Sequence, residues 1–335
     1  MIPGTEAVGK APSPDAPTER SPQSPAAALA RVRPGVRRAF VAALAALVAM
    51  GLVLAVLSQW SQLPSTDLEF EPGWALLAVA GLLLSELYHA ALWRIVLHRI
   101  GGEIGPVTGL SVWSLSSLGR YLPPGLLMPA VRVAGASAVG VATRVCLASM
   151  AYEAAFSLLG ALIVSTLLLT EVSALTPLVA GLGAALVLAV AVHPRVFGRL
   201  CNAALRRLGR DDLPAVLGAR TLAPFTLAYA GSFLLVGLSV YATAEALHPL
   251  DVSVLPAAVA SFSVGFLVSL AAFFVPGGLG VREAGLAGAL SLAIPFELAL
   301  SVSVAVRLVQ IALELLVAGV STLLSRRARP ALSAG

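Results

Sequence analysis

Residues 39–57 form an uninterrupted uncharged run, and comparably apolar stretches recur at 74–97, 144–169, 176–192, 222–247, 254–274 and 298–324. A run of about 18 apolar residues is long enough to cross a hydrocarbon core roughly 30 Å thick. Lipid offers no hydrogen bonds, so each crossing segment must satisfy its own backbone, and an α-helix does this within one segment. The composition agrees: 58% hydrophobic residues, 12% charged residues and a mean hydropathy of +0.92 exclude a soluble domain. The expected fold is all-α, a polytopic membrane bundle of about six to ten helical segments.

The net charge of +5 does not point to nucleic acid, because the arginines sit at the ends of apolar runs and in short loops. There they set orientation, since basic residues are retained on the cytoplasmic side. Residues 1–30, rich in Pro, Ala and Ser, read as a disordered tail. Arg31, Arg33, Arg37 and Arg38 then precede the first run, which is longer than a signal peptide's apolar core and is expected to be retained as a helix. Asp67, Glu69 and Glu71 mark an outer loop. Arg94, His98 and Arg99, then the arginine-rich segment 193–220, and finally Arg326, Arg327 and Arg329 mark the inner side. Both termini are therefore expected in the cytoplasm of a multi-pass plasma-membrane protein, with a membrane domain over 31–325 and a short tail over 326–335. Cys146 and Cys201 lack metal-ligand spacing and read as small apolar residues; no metal or cofactor is expected.

Two apolar regions are broken. Residues 254–274 lead into Val275-Pro276-Gly277-Gly278-Leu279-Gly280-Val281-Arg282-Glu283-Ala284-Gly285, followed by apolar sequence to Ile294. Broken backbone at membrane depth is tolerated where it is buried in protein or lines a wet cavity, and transporters use such breaks to aim half-helix ends at a substrate. A helix starting near Gly280 brings free N–H groups and Arg282 together, a place for an anion such as a phosphate. Residues 107–140 are broken at Gly119-Arg120-Tyr121-Leu122-Pro123-Pro124-Gly125 and again at Pro129, into pieces of about a dozen residues, too short to cross. Each broken region is either a re-entrant hairpin or a pair of crossings. As hairpins they open to opposite sides, as an inverted repeat would.

A charge at the bilayer centre costs roughly 2.5–3.5 kcal/mol on insertion scales, so intramembrane charges face the bundle interior and often mark a pathway. Glu86 lies within its apolar run, with His89 and Trp93 along the same helical face. Glu153 shares a stripe with Ser149, Ser157 and Gly160. Ser303, Arg307, Gln310 and Glu314 follow helical spacing along one side, so Arg307 and Glu314 can satisfy each other through Gln310. These charges either staple helices together or line a functional cavity; for Arg120 a third reading is snorkelling to the interface with Tyr121 as anchor. Signatures of enzymes are missing: no Walker motif, GxSxG or HExxH, and no aspartate pair suited to a sugar donor. Asp211-Asp212 beside Arg210 reads as a solvated charge cluster.

Residues Pro276-Gly277-Gly278-Leu279-Gly280-Val281-Arg282-Glu283 resemble the hallmark of the lysylphosphatidylglycerol synthase transmembrane family, also called flippase-like membrane proteins. Gly119-Arg120-Tyr121-Leu122-Pro123 resembles that family's first motif, with Pro124 inserted before Gly125 and Leu126, Leu127 and Met128 in place of small residues. Arg132 and Glu153 fall where the family has a basic and then an acidic residue. The resemblance covers about 74–324. It implies translocation of a lipid between leaflets, with the cargo open between an aminoacyl-phospholipid and a polyprenyl-phosphate-linked glycolipid, and a role in the bacterial cell envelope. Little sequence follows the last run, so a stand-alone, non-enzymatic member lacking the soluble synthase domain is expected. A separate lipid-modifying enzyme or glycosyltransferase is then an expected partner.

Three functions compete. In the first, an anionic headgroup meets Arg120, Arg132 and Arg282 while Glu86, Glu153 and Glu283 balance a cationic part of it or orient those arginines, with Pro276, Gly277, Gly278, Gly280, Arg307 and Glu314 completing the site. The second is a secondary transporter of a small anion with Glu86 or Glu153 carrying a proton. The third is a non-transporting scaffold for envelope biogenesis.

Overall fold

A computed structural model describes residues 70–121, 127–170, 192–207, 209, 211–271 and 280–332. The first apolar run, most of the run at 176–192, residues 122–126 of the first motif, and Pro276, Gly277 and Gly278 of the second lie outside the described residues. Within them the chain folds into α1 (Pro72–Arg99), α2 (Pro106–Leu118), α3 (Leu127–Ser137), α4 (Thr143–Ser165), α5 (Pro194–Arg207), α6 (Ala219–Leu247), α7 (Leu255–Ala271), α8 (Val281–Leu290) and α9 (Phe296–Leu332). Short 3₁₀ turns at Gly119–Tyr121, Thr166–Thr170 and Val252–Val254 extend three of the helix ends. No described residue is in a β-strand. Five of the elements are long and apolar enough to cross a membrane: Pro72–Arg99, Thr143–Leu168, Ala219–Leu247, Val252–Leu270 and Phe296–Arg327.

Local chemistry sets the ends. Pro72 and Pro106 each occupy the first turn of their helices, where the missing N–H costs nothing. His98 and Arg99 close α1 beside its free carbonyls, and Gly101, at φ +91, turns the chain away. Pro129 does not break the first region again. It sits in the first turn of α3, where the N–H groups have no helical partner, so α3 runs on to Ser137. The segment at 193–220 contains a helix, α5, that charge alone concealed. Only Phe197 and Leu205 on it are fully buried, spaced along one face among exposed arginines.

The chain makes two hairpins from opposite ends of the bundle. Helices α2 and α3 span about 20 and 16 Å at 1.5 Å per residue, and they pack side by side. A Cβ on Gly119 would stand 2.8 Å from the Met128 nitrogen, so this contact needs glycine. At the other end α7 packs along the shorter α8; a Cβ on Gly265 would stand 2.7 Å from the Arg282 carbonyl oxygen, which sets Arg282 level with the middle of α7.

Two cores hold these elements. One is an aromatic ladder in which Phe197 lies 3.7 Å from Tyr152, Tyr152 lies 5.8 Å from Phe156, and Phe156 stacks on Phe225 and Tyr229. The other packs Phe233 and Phe262 with small residues of α6, α7 and α8, among them Ala230, Ala258 and Ala287. Leu76, Leu84, Leu227, Leu238, Leu316 and Leu323 point outward, as side chains facing lipid do.

The ends of the bundle differ in charge. Arg99, Arg144, Arg195, Arg206, Arg220 and Arg327 collect at one end, while Glu71, Asp251 and Glu297 lie at the other, where the Glu71 N–H donates to the Ala246 carbonyl. Asp211 and Asp212 bond Arg144 at 2.6 Å and Arg206 at 3.2 Å, so the pair joins α4 and α5 to the connecting segment; Arg210 lies outside the described residues.

Candidate functional site

The charged side chains expected at membrane depth gather into two clusters joined by a third group. The first is enclosed. Arg132, with none of its surface exposed, donates Nη1–H to Glu153 Oε2 and Nε–H to Ser116 Oγ at 2.8 Å. Its guanidinium also lies 5.1 Å from the Trp93 ring and 5.6 Å from the Trp113 ring, cation–π distances. Trp113 Nε1–H donates to Glu153 Oε1 at 2.7 Å, and Trp93 Nε1–H donates to Ser149 Oγ at 3.0 Å. His89 Nε2 is 3.7 Å from Glu153 Oε1, and its ring nitrogens lie 3.4 Å from Ser157 and from Ser232. The stripe read along α4 thus meets α1 and α6. Gly160 on the same stripe lets α6 approach; a Cβ there would stand 2.7 Å from the Ala230 nitrogen.

The second cluster lies between the two hairpins and α9, and it is more open. Arg120, half-buried, places Nη2 3.6 Å from Glu314 Oε1 and donates Nε–H to the Ser117 carbonyl at 2.8 Å. Tyr121 donates its hydroxyl to Glu314 Oε2 at 2.9 Å. Two guanidiniums approach the Tyr121 ring, Arg120 at 5.9 Å and Arg307 at 5.2 Å. Arg307 Nε is 3.0 Å from Glu283 Oε1, and Ser303 donates to the Glu283 carbonyl at 3.0 Å. Glu283 in turn accepts from the Gly280 N–H at 2.7 Å, the carboxylate half of a capping box that fixes the start of α8. Gly280 stands at φ +80, a conformation that costs glycine little.

Arg282 stacks on Phe262, 4.3 Å from guanidinium carbon to ring centre. It has no ion pair with a carboxylate among the described residues; Arg307 and Arg120, of the same sign, act on it most strongly, and Tyr121 and Glu283 oppose them more weakly. A small cleft is lined by Phe262, Arg282, Glu283, Ser303, Arg307 and Gln310, together with Leu286 and Val306.

Glu86 joins the clusters. It sits midway along α1, with Glu314, Arg120 and Glu153 as its electrostatic neighbours.

The structure therefore brings together Arg120, Arg282, Glu283, Arg307 and Glu314, places Arg132 and Glu153 in a separate enclosed cage, and sets Glu86 between. Two expectations change. Arg307 and Glu314 do not satisfy each other along α9: Arg307 turns to Glu283 and Glu314 to Arg120 and Tyr121, because neighbouring hairpins offer closer partners than the helix's own next turn. Arg120 does not snorkel to the interface, being held on Glu314 inside the bundle. Trp113, Ser116 and Phe262 belong to the clusters although the motifs do not mark them. A signal existed for the first two in the serine-rich run Ser111–Ser117, since hydroxyls on membrane helices bond across to neighbours. Phe262, one aromatic within an apolar run, carried none. Among the described residues no three of His, Cys, Asp and Glu converge as a metal ion would require.

A multi-pass helical membrane protein with charged clusters inside its bundle is the class that fold and site define. The family model described as the lysylphosphatidylglycerol synthase TM region matches residues 40–318, and the chain belongs to that family. A search of curated proteins finds no match to the chain.

Proposed function

We propose that the protein moves an anionic lipid between leaflets, with the headgroup phosphate received by Arg282 beside Arg120 and Arg307. The observation that carries this reading is Arg282 itself. A guanidinium drawn half out of water, under the influence of two others and in no ion pair with a described carboxylate, is costly unless an anion arrives. A phosphate supplies two acceptors matching the planar guanidinium fork. Glu283 and Glu314 hold Arg307 and Arg120 in place, so an incoming headgroup meets positioned cations. Arg132 and Glu153, already paired with each other inside an enclosed cage, support the bundle. Family membership supports a lipid as cargo, either an aminoacyl-phospholipid or a polyprenyl-phosphate-linked glycolipid, with a separate lipid-modifying enzyme or glycosyltransferase supplying it. The arginine-rich end of the bundle is assigned to the cytoplasmic side of the plasma membrane, which puts both termini there.

The test uses purified protein in vesicles carrying a trace of fluorescent phosphatidylglycerol or fluorescent phosphatidylcholine, with a membrane-impermeant quencher outside. The protein should speed loss of protected signal for phosphatidylglycerol well beyond that for phosphatidylcholine. Equal rates for both lipids, or rates no higher than in protein-free vesicles, would refute the proposal.

A further inference from the structure

Each carboxylate of the two clusters has its own guanidinium: Glu153 has Arg132, Glu283 has Arg307, and Glu314 has Arg120. Among the described residues Glu86 has none to itself. One of its oxygens, Oε1, is shut off from solvent and takes part in no hydrogen bond with a described residue. Two of its three electrostatic neighbours, Glu314 and Glu153, carry the same sign, and the third, Arg120, is already engaged with Glu314.

Among the described residues, the elements packed around Glu86 offer no further cation at this level. On α1 the nearby titratable group is His89, which faces Glu153, Ser157 and Ser232. The turn after α2 brings Arg120 and Tyr121, α4 brings Glu153, and α9 brings Glu314. Helix α6 carries charges only at its two ends, Arg220 and Glu245, and contributes Tyr229 and Ser232 near His89. Helix α2 has no charged residue at all. A buried ionised carboxylate without a counterion is far costlier than a neutral acid.

We infer that Glu86 is a proton-binding site, and that its proton decides which carboxylate holds Arg120. With the proton on Glu86, the acid is neutral and Arg120 stays on Glu314. Release of that proton to solvent leaves a carboxylate whose one available cation among the described residues is Arg120, so Arg120 is shared or drawn toward Glu86. That loosens the Glu314 and Tyr121 contact beside Arg307. The step is proton exchange alone; no covalent bond among heavy atoms changes. On the lipid-translocating reading above, on which this coupling rests, the exchange links headgroup release to a proton gradient.

Infrared difference spectroscopy of the full chain in nanodiscs, titrated with acid, tests the site without reference to any lipid cargo. The wild type should show a carbonyl band of a protonated carboxylic acid that disappears on raising the pH. Glu86→Gln should lack that band, and Glu86→Asp, which keeps the acid, should retain one. A titrating band unchanged in Glu86→Gln would overturn the inference. The coupling is read in vesicles with fluorescent phosphatidylglycerol: an imposed pH gradient should change the wild-type rate several-fold and leave the Glu86→Gln rate unaltered. A wild-type rate indifferent to the gradient would overturn the coupling. If no lipid moves in either protein while the band is still lost in Glu86→Gln, the proton site stands and the lipid reading fails.

Discussion

The Arg132 cage and the Arg282 cleft hold the same kinds of residue and handle them in opposite ways. In the cage, guanidinium, carboxylate and two indoles close on one another from α1, α2, α3 and α4, and Arg132 has no exposed surface. In the cleft, three arginines face two glutamates across α8, α9 and the Gly119–Tyr121 turn, and one arginine rests on a phenylalanine ring instead of an acid. An enclosed ion pair is shut off from a ligand, and removing one member leaves the other in a closed interior. An open cluster holding an arginine outside any ion pair with a described carboxylate can accept an anion and loses less when a member is removed. Buried charge is thus not one signal: its partner list separates a staple from a site.

The largest effect is expected in the cage. Arg132→Ala leaves Glu153 buried without its cation, which should cost about 3–5 kcal/mol. Adding Glu153→Gln, which keeps an acceptor for Trp113, should recover much of the loss. Thermal unfolding in detergent reads both. A stable Arg132→Ala protein would break the distinction between cage and cleft.

A matched pair of glycine changes sharpens it. Gly160→Val drives a side chain into the α6 backbone behind the cage, and Gly265→Val drives one into the α8 backbone at Arg282. Each overpacking should cost about 1–3 kcal/mol. Transport per folded molecule should fall for Gly265→Val and hold for Gly160→Val. Equal losses of transport would mean that the position of α8 has no special bearing on function.

The smallest effect is expected at the charged end of the bundle. Asp211, with its side chain 90% exposed, pairs with Arg144, and exposed pairs contribute roughly 0–1 kcal/mol. Asp211→Asn should therefore leave unfolding and transport near wild type, which gives a charge-removal control for both clusters.

Much of this architecture was legible in the sequence. Apolar run length located the five long described helices, because membrane thickness imposes that length directly. The stripes Ser149–Glu153–Ser157 and Ser303–Arg307–Gln310–Glu314 gave the inward faces, since helical geometry fixes which side chains share a side. Partner choice was not legible. Whether Arg307 meets Glu314 on its own helix or Glu283 on the next depends on how closely hairpins approach, and that closeness rests on Gly119, Gly265 and Gly160, whose neighbours lie far along the chain or across a turn. Helix α5 escaped for a related reason: its buried Phe197 stacks on Tyr152 of α4, and its sequence reads as a basic loop until that partner is in place.

The most direct test of the open cleft as an anion site is the transport rate of Arg282→Ala, expressed per correctly folded molecule in vesicles with fluorescent phosphatidylglycerol. Loss of a charge-assisted contact worth about 1.5–3 kcal/mol should slow translocation roughly tenfold or more. The unfolding midpoint should stay near wild type. Arg282→Lys, a point charge without the planar fork, should restore only part of the rate. A stable Arg282→Ala protein that moves the lipid at the wild-type rate would contradict the account.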